Sequence, residues 1–387
     1  MNKKRNISSI AFTTVFVLVI IVIGVISFSN LVKFYVNDEV DYNEWSADLG
    51  NKQETDMATT FFEKFRFVNL NGAVRNLLGQ REMNGVVKLN NGYLLTTFGY
   101  VSDECLQECA DSVAVFDRYL ENRGTWLVYA STPYTSSKYD PQLPAGVSDY
   151  GNDNIDRFLE MLDTLDVDTI DYRETMHQDG IDQYDMMYKT DHHWNTEAGL
   201  YAYGKLERYI VEQTGCDVDE RISDIGNYTI TTYEKWHLGS RGQRVGRYFA
   251  GIDDFDLIIP NFDTSIRNDA GEVDSMQNLV INMQPLNNRE YTSRYTYDWV
   301  LDGACEHYVN LDCRNDLRIL IISDSSSRVV CPYLMMGFHE MCFVSTESIS
   351  EMSPEYIESY DPDVVIMLYY PQYFYEGSTA YDFAEYQ

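Results

Sequence analysis

The chain has 387 residues, with 61 acidic against 29 basic side chains, a formal net charge of −32 and an isoelectric point near 4.3. Such a surplus of carboxylates leaves nothing to neutralise phosphates in bulk and excludes nucleic acid as a partner. At 44% hydrophobic and 14% aromatic, with 31 tyrosines, the chain is nonetheless no disordered polyanion and has the means to bury a large core.

In chain order, residues 1–9 carry Lys3, Lys4 and Arg5 and no acid, and residues 10–28 are 19 in a row without a charge, enough to span a bilayer. Because no Ala-x-Ala cleavage site comes after them, we expect residues 1–33 to be a cytoplasmic tip and an uncleaved transmembrane anchor. Everything after about residue 33 then lies outside the cytoplasm; a secretory signal that is later removed is the alternative. The polar, acidic residues 34–60 fit a stalk, and the globular domain covers 61–387. Residues 61–78 mix aromatic and basic side chains, as expected of a helix or arm packed on the next part of the chain. Residues 86–89 and 93–96 flank Asn90-Asn91-Gly92, a strong hairpin signal.

From there helix and strand alternate. The pattern predicts a helix over 103–121, a strand over 125–130, a helix over 155–165 and a strand over 167–171. Lys189-Thr190-Asp191-His192-His193-Trp194 comes next, and then a helix capped by Asn195 or Thr196, with Leu200, Tyr203 and Leu206 on one face before Gly215 stops it. Residues 217–312 break the rhythm and read as an insertion with strand content. It contains the stretch Trp236-His237-Leu238-Gly239-Ser240-Arg241-Gly242-Gln243-Arg244-Val245-Gly246-Arg247, which concentrates arginine and glycine in an acidic chain. Afterwards come three apolar runs, 319–322, 341–344 and 364–368, joined by helices expected over 328–339 and 354–359. This is the pattern of a layered α/β domain with a mainly parallel sheet, whose sites form at the carboxyl ends of strands.

Two stretches carry chemistry. Asp191 and His193, two apart in an extended loop, project to the same side, so the carboxylate can accept from the imidazole, fix its tautomer and leave the other ring nitrogen free to take a proton. His192 is the reserve base. Ser325 sits where the buried run ending at Ile322 gives way to Ser323-Asp324-Ser325-Ser326-Ser327, a strand-to-helix turn with backbone amides at hand for an oxyanion. Ser325 as nucleophile, His193 as base and Asp191 as orienting acid make a complete set for acyl transfer through a serine ester. Arg241 and Arg244 are candidate contacts for an anionic sugar or an oxyanion, with Trp194 beside them.

The Asp-His-His-Trp run with its flanks, Tyr188-Lys189-Thr190 before and Asn195-Thr196-Glu197-Ala198-Gly199 after, resembles the signature of the DHHW proteins, relatives of the alginate O-acetyltransferases within the SGNH hydrolase-like superfamily. In that group the Asp-x-His pair precedes the serine, and the serine lies in a Gly-Asp-Ser-aromatic turn. Here Ser323 stands for the glycine and Ser326 for the bulky residue. The resemblance implies a three-layer α/β/α SGNH hydrolase-like domain and O-acetylation, or the reverse de-acetylation, of an exported polysaccharide. It also implies a membrane-bound O-acyltransferase partner as acetyl supplier. No cofactor and no metal are expected.

Asp-His-His is also a metal-ligand combination, but the further aspartate pairs of a metal-dependent phosphoesterase are missing: Asp166 and Asp168 are the nearest. A non-catalytic polysaccharide-binding or scaffold protein with a degenerate site is the second alternative, and a membrane-anchored sensor the third. Of seven cysteines, Cys105 and Cys109 are expected as core thiols on one helix, while Cys305 and Cys313 are spaced to close a short loop in an oxidising setting. No Cys-x-x-Cys is present.

Overall fold

The computed structural model describes residues 2–37, 61–288 and 306–386. The N-terminal apolar run lies in helix α1 (Asn2–Asn37), where Ile10–Asn30 is long and apolar enough to cross a membrane and has no fully buried residue. The segment expected as a stalk falls almost wholly outside the described residues. Helix α2 (Lys64–Leu77) then leads to a small antiparallel sheet of β1 (Glu82–Met83), β2 (Val86–Lys88) and β3 (Leu94–Leu95). The β2–β3 pair is the expected hairpin: Val87 pairs with Leu95, and Gly92, at φ 93°, makes a turn that a side chain would strain.

Helix α3 (Asp103–Glu121) precedes β4 (Trp126–Ser131); α4 (Gly151–Thr164) precedes β5 (Thr169–Asp171). A short α5 (Tyr172–Gln178) and the histidine loop lead into α6 (Thr196–Thr214). Asn195 caps α6 by accepting from the Ala198 amide at 2.9 Å, and Gly215 ends it in the left-handed region at φ 69°. The insertion opens with β6 (Tyr228–His237), the short helices α7 (Ser240–Val245) and α8 (Arg247–Ala250), and β7 (Asp253–Pro260), which pairs antiparallel with β6. It closes with β8 (Ile266–Asn268), β9 (Val273–Asp274) and β10 (Glu306–Asn310). The last third holds β11 (Arg318–Ser323), α9 (Cys331–Gly337), β12 (Glu340–Ser345), α10 (Pro354–Tyr360) and β13 (Val364–Tyr369).

The central sheet has eight strands in the order β5-β4-β13-β11-β12-β10-β8-β9. From β5 to β12 all neighbours are parallel; β10, β8 and β9 extend it antiparallel. The all-apolar runs of β11 and β13 lie at its centre, where both faces are covered and a continuous rather than alternating hydrophobic pattern is required. Three strands of the insertion are thus built into the sheet, and its β6–α8 segment forms a separate two-stranded ribbon and two short helices. These helices share a satellite core with the hairpin and α2, made of Met83, Val86, Leu94, Leu238, Val245, Phe249 and Ala250, with Val68 packed against it.

One expected helix differs. In place of a continuous helix over 328–339, residues Ser325–Val329 form a 3-10 turn and α9 starts only at Cys331. Asp324 caps the Ser326 amide at 2.7 Å and holds the serines in a tighter turn, while Pro332 occupies the first turn of α9, where its missing N–H costs nothing. Cys105 and Cys109 are free thiols, the latter buried; Cys305 lies outside the described residues, and Cys313 is a free thiol near the Gly337 carbonyl.

Candidate active site

The histidine loop is pinched shut at its base by the Met187–Trp194 bridge and by the Asn195 amide donating to the Met186 carbonyl at 2.9 Å. Its tip is held from the insertion. The Asp253 carboxylate accepts from the Lys189 amide (3.1 Å), the Thr190 amide (2.9 Å) and the Thr190 hydroxyl (2.6 Å). Thr190 in turn accepts from the Gly239 amide on its hydroxyl (2.9 Å) and from the Gly242 amide on its carbonyl (2.8 Å). The loop therefore cannot be positioned without the residues that come after β6.

The serine turn approaches from the other side. At Gly199 the α6 backbone runs so close to the turn that an added Cβ would lie 2.0 Å from the Val329 carbonyl oxygen. This is the physical reason for glycine in that motif position. The Trp194 indole N–H donates to the Ser326 carbonyl at 2.7 Å, pinning the two pieces together. Asp324 accepts from the Ser326 amide through one oxygen and from the Tyr370 amide (2.9 Å) through the other, so the ends of β11 and β13 are tied by one carboxylate. The fully buried Ser323 donates its hydroxyl to the Leu368 carbonyl, and Ser327 donates to the Asp324 carbonyl at 3.0 Å. Of the three consecutive serines only Ser325 keeps partial exposure.

Ser325 and His193, 132 positions apart, meet at 2.7 Å between Oγ and Nε2. His193 Nδ1 lies 3.2 Å from Asp191 Oδ1. Asp191 is buried under further donors: the His192 amide (2.7 Å) and the Ser240 hydroxyl (2.9 Å) reach Oδ1, and His237 Nε2 stands 3.2 Å from Oδ2. Burial alone would raise this carboxyl, but the charge of His193 and hydrogen bonds from His192, His193 and His237 hold it well below the usual carboxylate range. Burial pushes the His193 imidazole down, as does neighbouring His192, whose ring centre is 3.8 Å away; Asp191 opposes both, and the net direction is downward. A neutral imidazole between a hydroxyl and an ionised carboxylate is the arrangement a general base needs.

The sequence named neither His237 nor Ser240 as part of this cluster. The stretch that holds them stood out for its arginines, and nothing in its spacing says that its histidine and serine, rather than its cations, turn toward Asp191. Arg241 is buried, donating to the Leu94 carbonyl (2.8 Å), the Thr135 hydroxyl (2.6 Å), the Asp191 carbonyl (3.1 Å) and the Tyr370 hydroxyl (3.0 Å). Trp194 is buried with its N–H occupied, and Arg244 is exposed on the hairpin side, donating to the Asn84 carbonyl at 2.7 Å. Arg241 and Trp194 are thus turned to protein partners, and Arg244 to the hairpin. Asp191, His192 and His193 bring ligand atoms within 4.8 Å of one another, close enough for one divalent cation, whose binding would compete with the Asp191–His193 hydrogen bond.

A mostly parallel sheet with a serine turn at the carboxyl end of a central strand, met by an Asp-x-His loop, is an SGNH hydrolase-like α/β fold. Residues 91–221, the histidine loop included, match the family described as SGNH hydrolase-like domain, acetyltransferase AlgX. Among solved structures the chain is similar to Bacillus cereus PatB1, at 20% identity and a TM-score of 0.63 over 77% of this chain and 99% of that one. It is also similar to PatB1 with a sulfonyl adduct, at 18% and 0.62 over 78% and 98%. A third is a DHHW family protein from Eubacterium siraeum DSM 15702, at 16% and 0.56 over 78% of this chain and 95% of that one. A search of curated proteins by sequence found no match. The resemblance to DHHW proteins and AlgX-type acetyltransferases, carried in the sequence by Asp191 to Trp194, is borne out.

Proposed function

We propose that this protein transfers acetyl groups to or from an exported polysaccharide through a covalent ester on Ser325. The observation that carries the reading is the 2.7 Å contact between Ser325 Oγ and His193 Nε2, backed by Asp191. In the first step Ser325 Oγ attacks the acetyl carbonyl while its proton passes to His193 Nε2, and the imidazolium returns that proton to the departing donor group. In the second, a sugar hydroxyl attacks the acetyl-serine, gives its proton to His193, and the serine leaves and is reprotonated; water in place of the sugar makes the enzyme an esterase. The tetrahedral oxygen is held at the Ser325 backbone amide, since the Ser326 amide already donates to Asp324. Asp191 stabilises the transient imidazolium.

Arg241 and Trp194 act as positioning residues, since both are buried and tie the histidine loop to its neighbours; Arg244 lies outside the reacting cluster. Helix α1 serves as a membrane anchor that leaves the domain outside the cytoplasm, where a membrane-bound O-acyltransferase supplies acetyl groups. A fluorophosphonate probe should label the purified protein, and an activated acetate ester should be slowly hydrolysed. Ser325→Ala and His193→Ala should each abolish both, while Ser326→Ala and Ser327→Ala keep labelling. A parent protein that stays unlabelled would refute the enzymatic reading in favour of polysaccharide binding, and stoichiometric metal after purification without chelator would refute the hydrogen-bonded triad.

A further inference from the structure

Helix α2 has two faces of opposite fate. Toward the domain, Gly72 sits against the Val245 carbonyl oxygen, only 2.3 Å from where a Cβ would be. Val68 packs on the satellite core, and Asn69 accepts from the Arg247 amide at 2.8 Å. At 3.6 residues per turn, Phe67, Leu70, Val74, Leu77 and the adjoining Leu78 fall on the opposite side within an arc of about 100°. All five are exposed, Leu70 by 64%, Leu77 by 87% and Leu78 by 68%. A continuous apolar stripe of this kind on a soluble surface marks a contact site.

Its occupant is indicated by charge and by place. Residues 61–81 hold four basic side chains, Lys64, Arg66, Arg75 and Arg81, against the single acid Glu63, in a chain of net charge −32. The helical spacing puts Lys64 and Arg75 along one edge of the stripe and Arg66 along the other, where long cationic side chains can reach from an apolar layer to phosphates. The lead-in to α2 also touches the candidate span directly: the Phe62 amide donates to Ser27 Oγ at 3.0 Å. Ser27 is three residues, about 5 Å along the helix, from the end of Ile10–Asn30, so Phe62, two residues before α2, meets the span near its end.

We propose that α2 is an interfacial helix, its outer face lying in the headgroup layer of an anionic bilayer while its inner face holds α7 and α8. Of these, α7 contributes Ser240 and Arg241 to the Asp191 cluster, so the helix would fix the height and orientation of the Ser325 site above the membrane. The inference rests on the reading of α1 as a membrane span, but not on the acyl-transfer chemistry.

The test uses the full chain in vesicles of equimolar phosphatidylglycerol and phosphatidylcholine doped with a lipid bearing a diazirine in its acyl chain. After irradiation, lipid adducts are mapped by mass spectrometry. Adducts are expected at Phe67, Leu70, Val74, Leu77 or Leu78 as well as within 10–30. The double variant Leu70→Glu/Leu77→Glu should lose those on α2, keep those on the span and retain hydrolysis of a soluble acetate ester. Phosphatidylcholine alone should lower the α2 yield by roughly tenfold or more, since the attraction of Lys64, Arg66 and Arg75 to an anionic surface is then lost. Adducts confined to 10–30 sink this proposal alone; adducts at neither segment sink it together with the anchor. Cross-links from α2 to protein in place of lipid would assign the stripe to a protein partner and overturn the membrane reading, and an α2 yield indifferent to lipid charge would overturn its electrostatic part.

Discussion

Replacing Asp191 by asparagine isolates one quantity, the charge behind His193, because the geometry around it can survive. The amide oxygen, placed where Oδ1 stands, still accepts from His193 Nδ1, the His192 amide and the Ser240 hydroxyl. The amide NH2 then faces His237 Nε2, which accepts in its other tautomer. What disappears is the full negative charge 3.2 Å from an imidazole that becomes cationic as Ser325 is deprotonated. At a buried site, losing one partner of such a pair costs about 3–5 kcal/mol, which on the barrier is roughly two to four orders of magnitude in kcat. KM should change by no more than a few-fold, since the charge acts when the imidazolium forms and not when substrate binds. Steady-state hydrolysis of 4-nitrophenyl acetate, with a thermal melt to establish that the variant is folded, reads both. A folded Asp191→Asn protein whose kcat stays within fivefold of the parent would show that His193 does not work against this carboxylate.

The remaining expectations are sharper for having signs or controls. Because His193 is held below its ordinary 6.5 and must be neutral to act, kcat/KM should rise with pH to a midpoint below 6.5; His192→Ala, which removes a cause of the lowering, should move the midpoint up, and a downward move contradicts the assignment. Gly239→Ala puts a Cβ 2.3 Å from Asp191 Cβ at a site with no room, so the loop must shift and kcat should fall at least about tenfold, whereas Gly204→Ala, with nothing nearer than 3.5 Å, should leave it unchanged. Asp117 is buried on α3 and its carboxyl is raised from 3.8 to about 7, by burial first and then by Glu121 and Asp168. The stability this group allows is full below pH 3.8 and declines as pH rises toward 7, so Asp117→Asn should be the more stable protein by about 1–3 kcal/mol at pH 8 and equal to the parent near pH 3.5 in urea titrations.

Local patterning wrote much of this molecule into the chain. The continuous apolar runs of β11, β12 and β13 can only be strands covered on both faces, and the Asn195 cap and Gly215 stop delimit α6 by backbone chemistry that needs no distant partner. Asp191, His193 and Ser325 stand out in the sequence for a related reason: the roles we propose for them depend on residue type and on position within a loop or at a strand end, both of which are local. The start of α9 was misjudged where two local signals compete, since Asp324 capping and Pro332 favour a tight turn that the apolar periodicity alone does not reveal.

The surroundings of the Asp191–His193–Ser325 cluster were decided by tertiary structure alone. His237 and Ser240 stand 46 and 49 positions from Asp191, and only the return of the chain between β6 and β7 brings them to it. The same return buries Arg241 against four separate segments, so a residue type that suggests ligand contact is used to hold backbone carbonyls together. The sequence thus determined the chemical groups and the strands that carry them, because periodicity, capping and loop position act over a few residues. The company those groups keep, and the outward face of α2, arise from packing between segments far apart in the chain, which no local pattern encodes.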